Sequence, residues 1–217
     1  MDTEKQHPLV PEPAIGRLPW YLACVAKMRA DGVEYASSTA ISNQLNVDAS
    51  QIAKDLSYLN IKGKTRIGYD VAELEAGLSD FLGFGRVHNA VMMGVGSLGK
   101  ALIMDSGLSR YGLNIVAGFD VDPSVVGTEI MGTPVYDIAR LGELRESLGA
   151  EIAIIAVPAE YAAEVAKTCT GAGIRALWNF TPFHIKADPG VTIQNTSIYA
   201  HLAVMYNRMG GNTPAEE

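Results

Sequence analysis

Apolar positions change their rhythm along the chain, from helical spacing in the first eighty residues to alternating strands and helices afterwards. From Ile15 to Ala30 the residues Ile15, Leu18, Leu22, Val25 and Ala26 lie on or near one helical stripe, which Asp31-Gly32 ends. Ser38 reads as the cap of a short second helix, Thr39 to Leu45, and Asn46-Val47 makes the turn. Asp48 then accepts from the early amides of a third helix, Ala49 to Leu59, with Gln51 reaching back as the other half of a capping box. At about 100° per residue, Ile52, Leu56 and Leu59 share one side of that helix. Ser50, Lys54, Ser57 and Tyr58 cluster opposite, with Gln51 beside them. Asn60 to Tyr69 reads as a strand, a glycine turn and a strand, a hairpin bearing Lys62, Lys64 and Arg66. Asp70 and Glu73 open a further helix through Leu74, Leu78, Phe81 and Leu82.

Gly83-Phe84-Gly85-Arg86 is the natural linker. Beyond it come a strand over Val87–Met93, a helix after Gly99, a strand over Asn114–Phe119, a helix over Asp137–Leu148, a buried strand over Ile152–Val157, a helix over Ala159–Gly171 and a buried strand over Ile174–Trp178. Such alternation predicts an α/β fold with a doubly wound parallel sheet. The turn Gly94-Val95-Gly96-Ser97-Leu98-Gly99 joins the first strand to its helix, as a dinucleotide cradle requires: a tight turn, a close backbone approach to pyrophosphate and a helix N-terminus. Asp120, followed by Val121, stands about 20 residues further on, where a ribose-binding carboxylate belongs. Pro158 and the stretch containing Asn179, Thr181 and Pro182 fall at carboxyl ends of strands, where ligands bind in such sheets.

A short helix, a three-residue turn and a second helix with a hydrogen-bonding face form the helix-turn-helix pattern, and the basic hairpin after it reads as a wing. The 217-residue chain has a net charge of −7, so attraction to nucleic acid must be local. It is local: Lys54, Lys62, Lys64 and Arg66 meet only Asp55 between Ser50 and Gly68. Cys24 and Cys169 lack metal spacing, no metal is expected, and the polar residues before Ile15 resemble neither a signal peptide nor a membrane span, so a cytoplasmic location is expected. A small NAD-dependent oxidoreductase with an accessory N-terminal domain is one alternative; a regulator reading another adenine nucleotide is a second. Catalytic candidates are poor. Tyr58 and Lys62 have dehydrogenase spacing but precede the cofactor domain, His184 lacks a carboxylate neighbour, and His7, His88 and His201 are weaker still.

From Pro11 to about Met209 the chain resembles the Rex family of NADH/NAD-responsive transcriptional repressors. The resemblance is carried by Arg17-Leu18-Pro19, the run from Val47 through Lys54-Asp55-Leu56-Ser57-Tyr58, Gly63-Lys64 through Gly68-Tyr69, the Gly94–Gly99 turn, Phe119-Asp120-Val121-Asp122-Pro123, Val157-Pro158 and Asn179-Phe180-Thr181-Pro182. It implies a flexible stretch over 1–13, a winged helix-turn-helix domain over 14–83 for double-stranded operator DNA, a Rossmann domain over 84–194 sensing NADH/NAD, a dimerisation helix over 195–209 exchanged between two subunits, and a flexible tail over 210–217. The helix stripe would be Ile198, Leu202, Met205 and Met209. It also implies no catalysis. The chain departs from the family at a polar latch, where a tyrosine, an aspartate and an arginine are replaced by Asp105, Ser197 and Ala23.

Overall fold

The computed structural model describes residues 10–59, 61–186 and 189–210, and the chain divides into two compact units between Arg86 and Val87. His7, Asn60 and the outer parts of both expected flexible ends lie outside the described residues.

The N-terminal unit comprises α1 (Glu12–Ala30), β1 (Tyr35–Ala36), α2 (Ser38–Leu45), α3 (Ala49–Ser57), β2 (Tyr69–Asp70) and α4 (Val71–Phe81). Helix α1 begins at Glu12, so Glu12 and Pro13 are helical rather than flexible. Its buried stripe runs through Ala14, Leu18, Tyr21, Leu22, Val25 and Met28, while Ile15, expected inside, is 41% exposed. The cap of α2 is Ser37, one residue earlier than predicted, and its hydroxyl accepts from Ala40 N at 3.1 Å. Asn46 then turns the chain in the left-handed conformation, which asparagine tolerates better than most residues. Asp48 caps α3 as expected, but Gln51 does not reach back; its amide donates to Asp55 Oδ1 at 2.8 Å. Ile52 and Leu56 are fully buried and join Ile41, Leu74 and Leu78 in one core.

The hairpin differs from its prediction. Lys64 bridges Gly68, Thr65-Arg66-Ile67 forms the turn, and β2 pairs antiparallel with β1. Gly68 decides this: its φ is +108°, and a Cβ there would lie 2.5 Å from the Ala36 carbonyl oxygen. Gly63, the expected turn residue, has no positive φ.

The C-terminal unit contains β3 (His88–Met93), α5 (Ser97–Met104), α6 (Ser106–Arg110), β4 (Leu113–Asp120), β5 (Glu129–Ile130), β6 (Thr133–Asp137), α7 (Leu141–Leu144), β7 (Ile152–Ile155), α8 (Ala162–Gly171), β8 (Ala176–Asn179), β9 (Thr192–Asn195) and α9 (Ile198–Met209). Its sheet has the order β5-β6-β4-β3-β7-β8-β9, parallel throughout except for the β5 edge. Counting only the parallel strands along the chain, this is the dinucleotide-binding order, with its switch point between β3 and β7. Alternate residues feed two cores. Ala90, Met92 and Ile154 point to one face, and Val91, Met93, Ala153 and Ile155 to the other.

Four elements depart from the sequence pattern. The helix expected over Asp137–Leu148 is a 3-10 turn, Ile138–Arg140, followed by the single turn of α7. The apolar spacing is helical, yet only Leu141 of this stretch is fully buried, so little packing holds a longer helix. Strands β5 and β6 are hidden in sequence by Pro134, which sits against the edge strand and outside the β4 pairing. The terminal helix starts at Ile198 rather than Asn195, because Asn195 belongs to β9 and Ser197 is the cap, accepting from Ala200 N.

Within the N-terminal unit, Asp55 is 1% exposed and receives Arg17 Nε at 2.7 Å and Tyr21 OH at 2.8 Å. Burial alone would raise its pKa; the hydrogen bonds from Arg17, Tyr21 and Gln51 outweigh that and hold it below the usual carboxylate range. Burial and the Asp55 contact push Tyr21 up to about 12. A depressed carboxylate stabilises the fold above its unfolded pKa of about 3.9 and loses that contribution as pH falls through the lower folded value. We therefore expect the urea midpoint of the native chain to fall below about pH 4 more steeply than that of Asp55→Asn, as read by circular dichroism across pH. Equal slopes would contradict the ionised, buried carboxylate.

Candidate functional site

A cleft of about 970 Å³ opens over the carboxyl ends of β3, β4 and β7. Gly94, Val95, Gly96 and Ser97 line it from the turn, Asp120 and Val121 from β4, and Pro158 from the exit of β7. The glycines do three different jobs. Gly94 has φ +89°, and a Cβ on it would stand 2.8 Å from the Ala156 carbonyl oxygen. A Cβ on Gly99 would overlap the Gly94 carbonyl. A Cβ on Gly96 would meet nothing within 4 Å, and its φ is ordinary at −74°. The protein itself places no demand on Gly96, so the space before it fits a ligand that approaches the backbone, as a pyrophosphate does at the head of α5.

Asp120 holds the cleft together. Its Oδ2 accepts from Val95 N at 2.6 Å, and its Oδ1 accepts from Val121 N at 2.7 Å and Asp122 N at 3.0 Å. One carboxylate thus ties the end of β4 to the glycine turn, with one lone-pair site of Oδ2 left for a ribose hydroxyl.

Five predicted cofactor residues do not line the cleft. Leu98 is on the outer side of α5, and Gly99 is packed beneath the turn. Asn179 is buried, donating to Phe183 O at 2.7 Å and to Asn195 Oδ1 at 2.8 Å while accepting from Thr181 N. Thr181 is buried beside it, exchanging hydrogen bonds with Phe183, and Pro182 is exposed. This loop spends its polar groups on closing the end of β8. Sequence reasoning missed Lys100, Tyr161 and Thr168, which do line the cleft. Lys100 follows the glycine motif directly, and that adjacency was the available signal; Tyr161 and Thr168 arrive only through the packing of α8.

The predicted nucleic-acid residues gather in the N-terminal unit. Ser50, Lys54 and Ser57 are exposed on α3, opposite Ile52 and Leu56, with Gln51 and Tyr58 half-buried. Lys62, Lys64 and Arg66 are exposed on the wing, where Arg66 holds φ +67°. Lys64 Nζ donates to Tyr35 OH at 3.1 Å, so β1 adds a tyrosine that the sequence pattern did not single out. Asp55 is absent from the exposed face, which leaves the basic groups there unopposed by it.

The remaining candidates are scattered. Tyr58 and Lys62 are in the N-terminal unit, and His184 lies outside the cleft lining. Burial pushes the Cys169 thiol up to about 12. Asp105 caps α6 by accepting from Leu108 N at 3.0 Å, and Ser197 caps α9. Ala23 is exposed on α1. Helix α9 buries no residue, and Ile198, Tyr199, Tyr206 and Met209 are more than half exposed. Among the described residues no helix is long and apolar enough to cross a membrane.

Residues 86–183 match the CoA binding domain family, and residues 9–57 match the family described as putative DNA-binding protein N-terminus. The chain is 53% identical over 203 residues to a redox-sensing transcriptional repressor Rex of Bacteroides fragilis, covering 94% of this chain and 92% of that one. It is 54% identical over 200 residues to the Porphyromonas gingivalis repressor of the same name, covering 92% of each. A crystal structure of RSP in complex with β-NAD+ and operator DNA superposes with a TM-score of 0.89 at 29% identity, covering 94% of both chains. RSP with β-NADH superposes with a TM-score of 0.83, covering 94% of this chain and 96% of that one.

The glycine geometry separates ligand from fold. Gly96→Val should leave the melting temperature of the free protein unchanged and remove the rise that NADH produces, since a ligand that binds only the native state raises it. Gly99→Ala should lower the melting temperature by itself. Thermal scans with and without NADH test both, and an NADH-induced rise retained in Gly96→Val would contradict the cradle.

Proposed function

The chain belongs to the Rex family of redox-sensing transcriptional repressors, and we propose that it is a homodimeric repressor that holds operator DNA with NAD bound and releases it when NADH binds. The observation that carries this is the presence, in one chain, of a cradle left open at Gly96 and a basic α3 and wing. In this reading Gly94–Gly99 and the α5 N-terminus take the pyrophosphate, Asp120 with Val121 takes the adenine ribose, and Pro158 borders the nicotinamide half. Lys54, Lys62, Lys64 and Arg66 contact phosphates, while Ser50, Gln51, Ser57 and Tyr58 face the groove. The nicotinamide is sensed and not turned over, and the protein works in the cytoplasm.

The domains follow the two units, with α9 as the dimerisation helix. Its exposed apolar side chains support that role, because a stripe of this size left in water is unfavourable. The family's polar latch residues are replaced here by Asp105, Ser197 and Ala23, the first two serving as helix caps, and in this reading coupling passes through the packing of α9. NADH and NAD act only through their different affinities for two dimer arrangements, a difference commonly on the order of 1 to 3 kcal/mol.

Three outcomes are expected. Lys54→Ala, Lys64→Ala and Arg66→Ala each weaken operator binding, flatten the slope of log affinity against log salt by about one, and leave NADH binding intact; unchanged slopes in all three would remove the winged-helix role. Calorimetry should show NADH bound more tightly than NADPH, because Asp120 repels a 2'-phosphate, with the gap narrowed in Asp120→Ala; CoA serves as the control for another adenine nucleotide. Deleting residues 198–209 should yield a monomer by light scattering that no longer binds operator, and a truncated dimer that still answers NADH would contradict the role of α9.

A further inference from the structure

Asp55 lies on α3 between the exposed Lys54 and the core residue Leu56, yet its carboxylate is buried. Arg17 grips it with a two-pronged fork, Nε to Oδ2 at 2.7 Å and Nη2 to Oδ1 at 2.9 Å. Tyr21 OH adds a third donor at 2.8 Å and Gln51 Nε2 a fourth at 2.8 Å. A carboxylate at this depth is costly unless each oxygen is satisfied, and here both are. The fork also fixes the plane of the carboxylate.

The bond to Gln51 has a consequence for the exposed face. An ionised carboxylate only accepts, so the Gln51 amide must turn its nitrogen towards Asp55, and the usual freedom to exchange its two ends is lost. Oε1 and the second Nε2 hydrogen make no further side-chain hydrogen bond among the described residues. Gln51 stands in the first turn of α3, the part of a recognition helix that meets base edges. An amide that offers one acceptor and one donor side by side matches adenine in the major groove.

We propose that Asp55, clamped by Arg17, is a positioning residue for base reading: it fixes the Gln51 amide so that its free donor and acceptor address an adenine. The proposal deepens the repressor reading and rests on it. Asp55 and Arg17 touch no base. Without the carboxylate, the Gln51 side chain rotates freely and the preference at one base pair falls, while the phosphate contacts of Lys54, Lys64 and Arg66 persist.

The test uses the full-length chain, a duplex selected by it, a set of duplexes with each base pair replaced in turn, and a random duplex. The native chain should lose roughly tenfold in affinity when a single A·T pair is replaced. Gln51→Ala and Asp55→Leu should both erase the preference at that same pair, and Asp55→Leu should leave affinity for random duplex and the salt slope unchanged. Arg17→Lys, which keeps the charge but not the fork, should weaken the same preference. Native preference at every pair in Asp55→Leu would overturn the proposal, and so would an equal loss on selected and random duplexes, the mark of a merely structural role. Should Asp55→Leu fail to fold, Gln51→Ala decides, because it leaves the Arg17–Asp55 pair in place; preference retained there at every pair overturns the proposal. A native chain with no sequence preference at all would overturn the repressor reading as well.

Discussion

Three backbone segments meet at the head of α5 more closely than side chains allow. Gly99 lies against the Gly94 carbonyl, Gly94 lies against the Ala156 carbonyl, and the Asp120 carboxylate draws the end of β4 onto Val95 N. The switch point between β3 and β7 is therefore built from backbone and one carboxylate. A cleft made this way presents amides and a helix terminus to whatever enters, which suits an anion bridged to a ribose. The alternation of β3 and β7 into two cores holds those backbones in place from both faces of the sheet.

The N-terminal unit solves a different problem with one buried charge. A helix that packs one face and leaves the other polar face exposed has few ways to fix its rotation against the rest of its unit. Ile52 and Leu56 supply non-directional packing, and Asp55 adds direction through Arg17 and Tyr21 of α1. Removing the acid from the surface also leaves Lys54 and the wing cations with the local field, although the chain as a whole carries −7.

Much of this was legible in the sequence, for physical reasons that differ by element. The Asp48 and Asp70 caps and the glycine turn follow from local rules and appear where those rules put them, and the alternation of strands and helices gives the parallel sheet that was expected. Asp55 was legible only as a charge, because nothing in the local pattern shows that Arg17, far away in the chain, reaches it. Tyr161 and Thr168 enter the cleft through tertiary packing, and β9, with Ile193 as its one apolar residue, does not announce itself. Asn179 shows the opposite: a polar residue at a strand end reads as ligand-binding, and here its amide donates to Phe183 and Asn195, outside the cleft lining.

What joins the two halves is a linkage, and linkage has a sign. If NADH and operator favour different dimer arrangements, each must weaken the other by the same factor. The most direct measurement is fluorescence anisotropy of a labelled duplex selected by the full-length chain, titrated with protein at fixed salt in saturating NAD and then in saturating NADH. The account predicts tight binding with NAD and weaker binding with NADH, with a matching loss of NADH affinity when operator is in excess. Equal operator affinity in the two cofactors, with both shown to be bound, would contradict it.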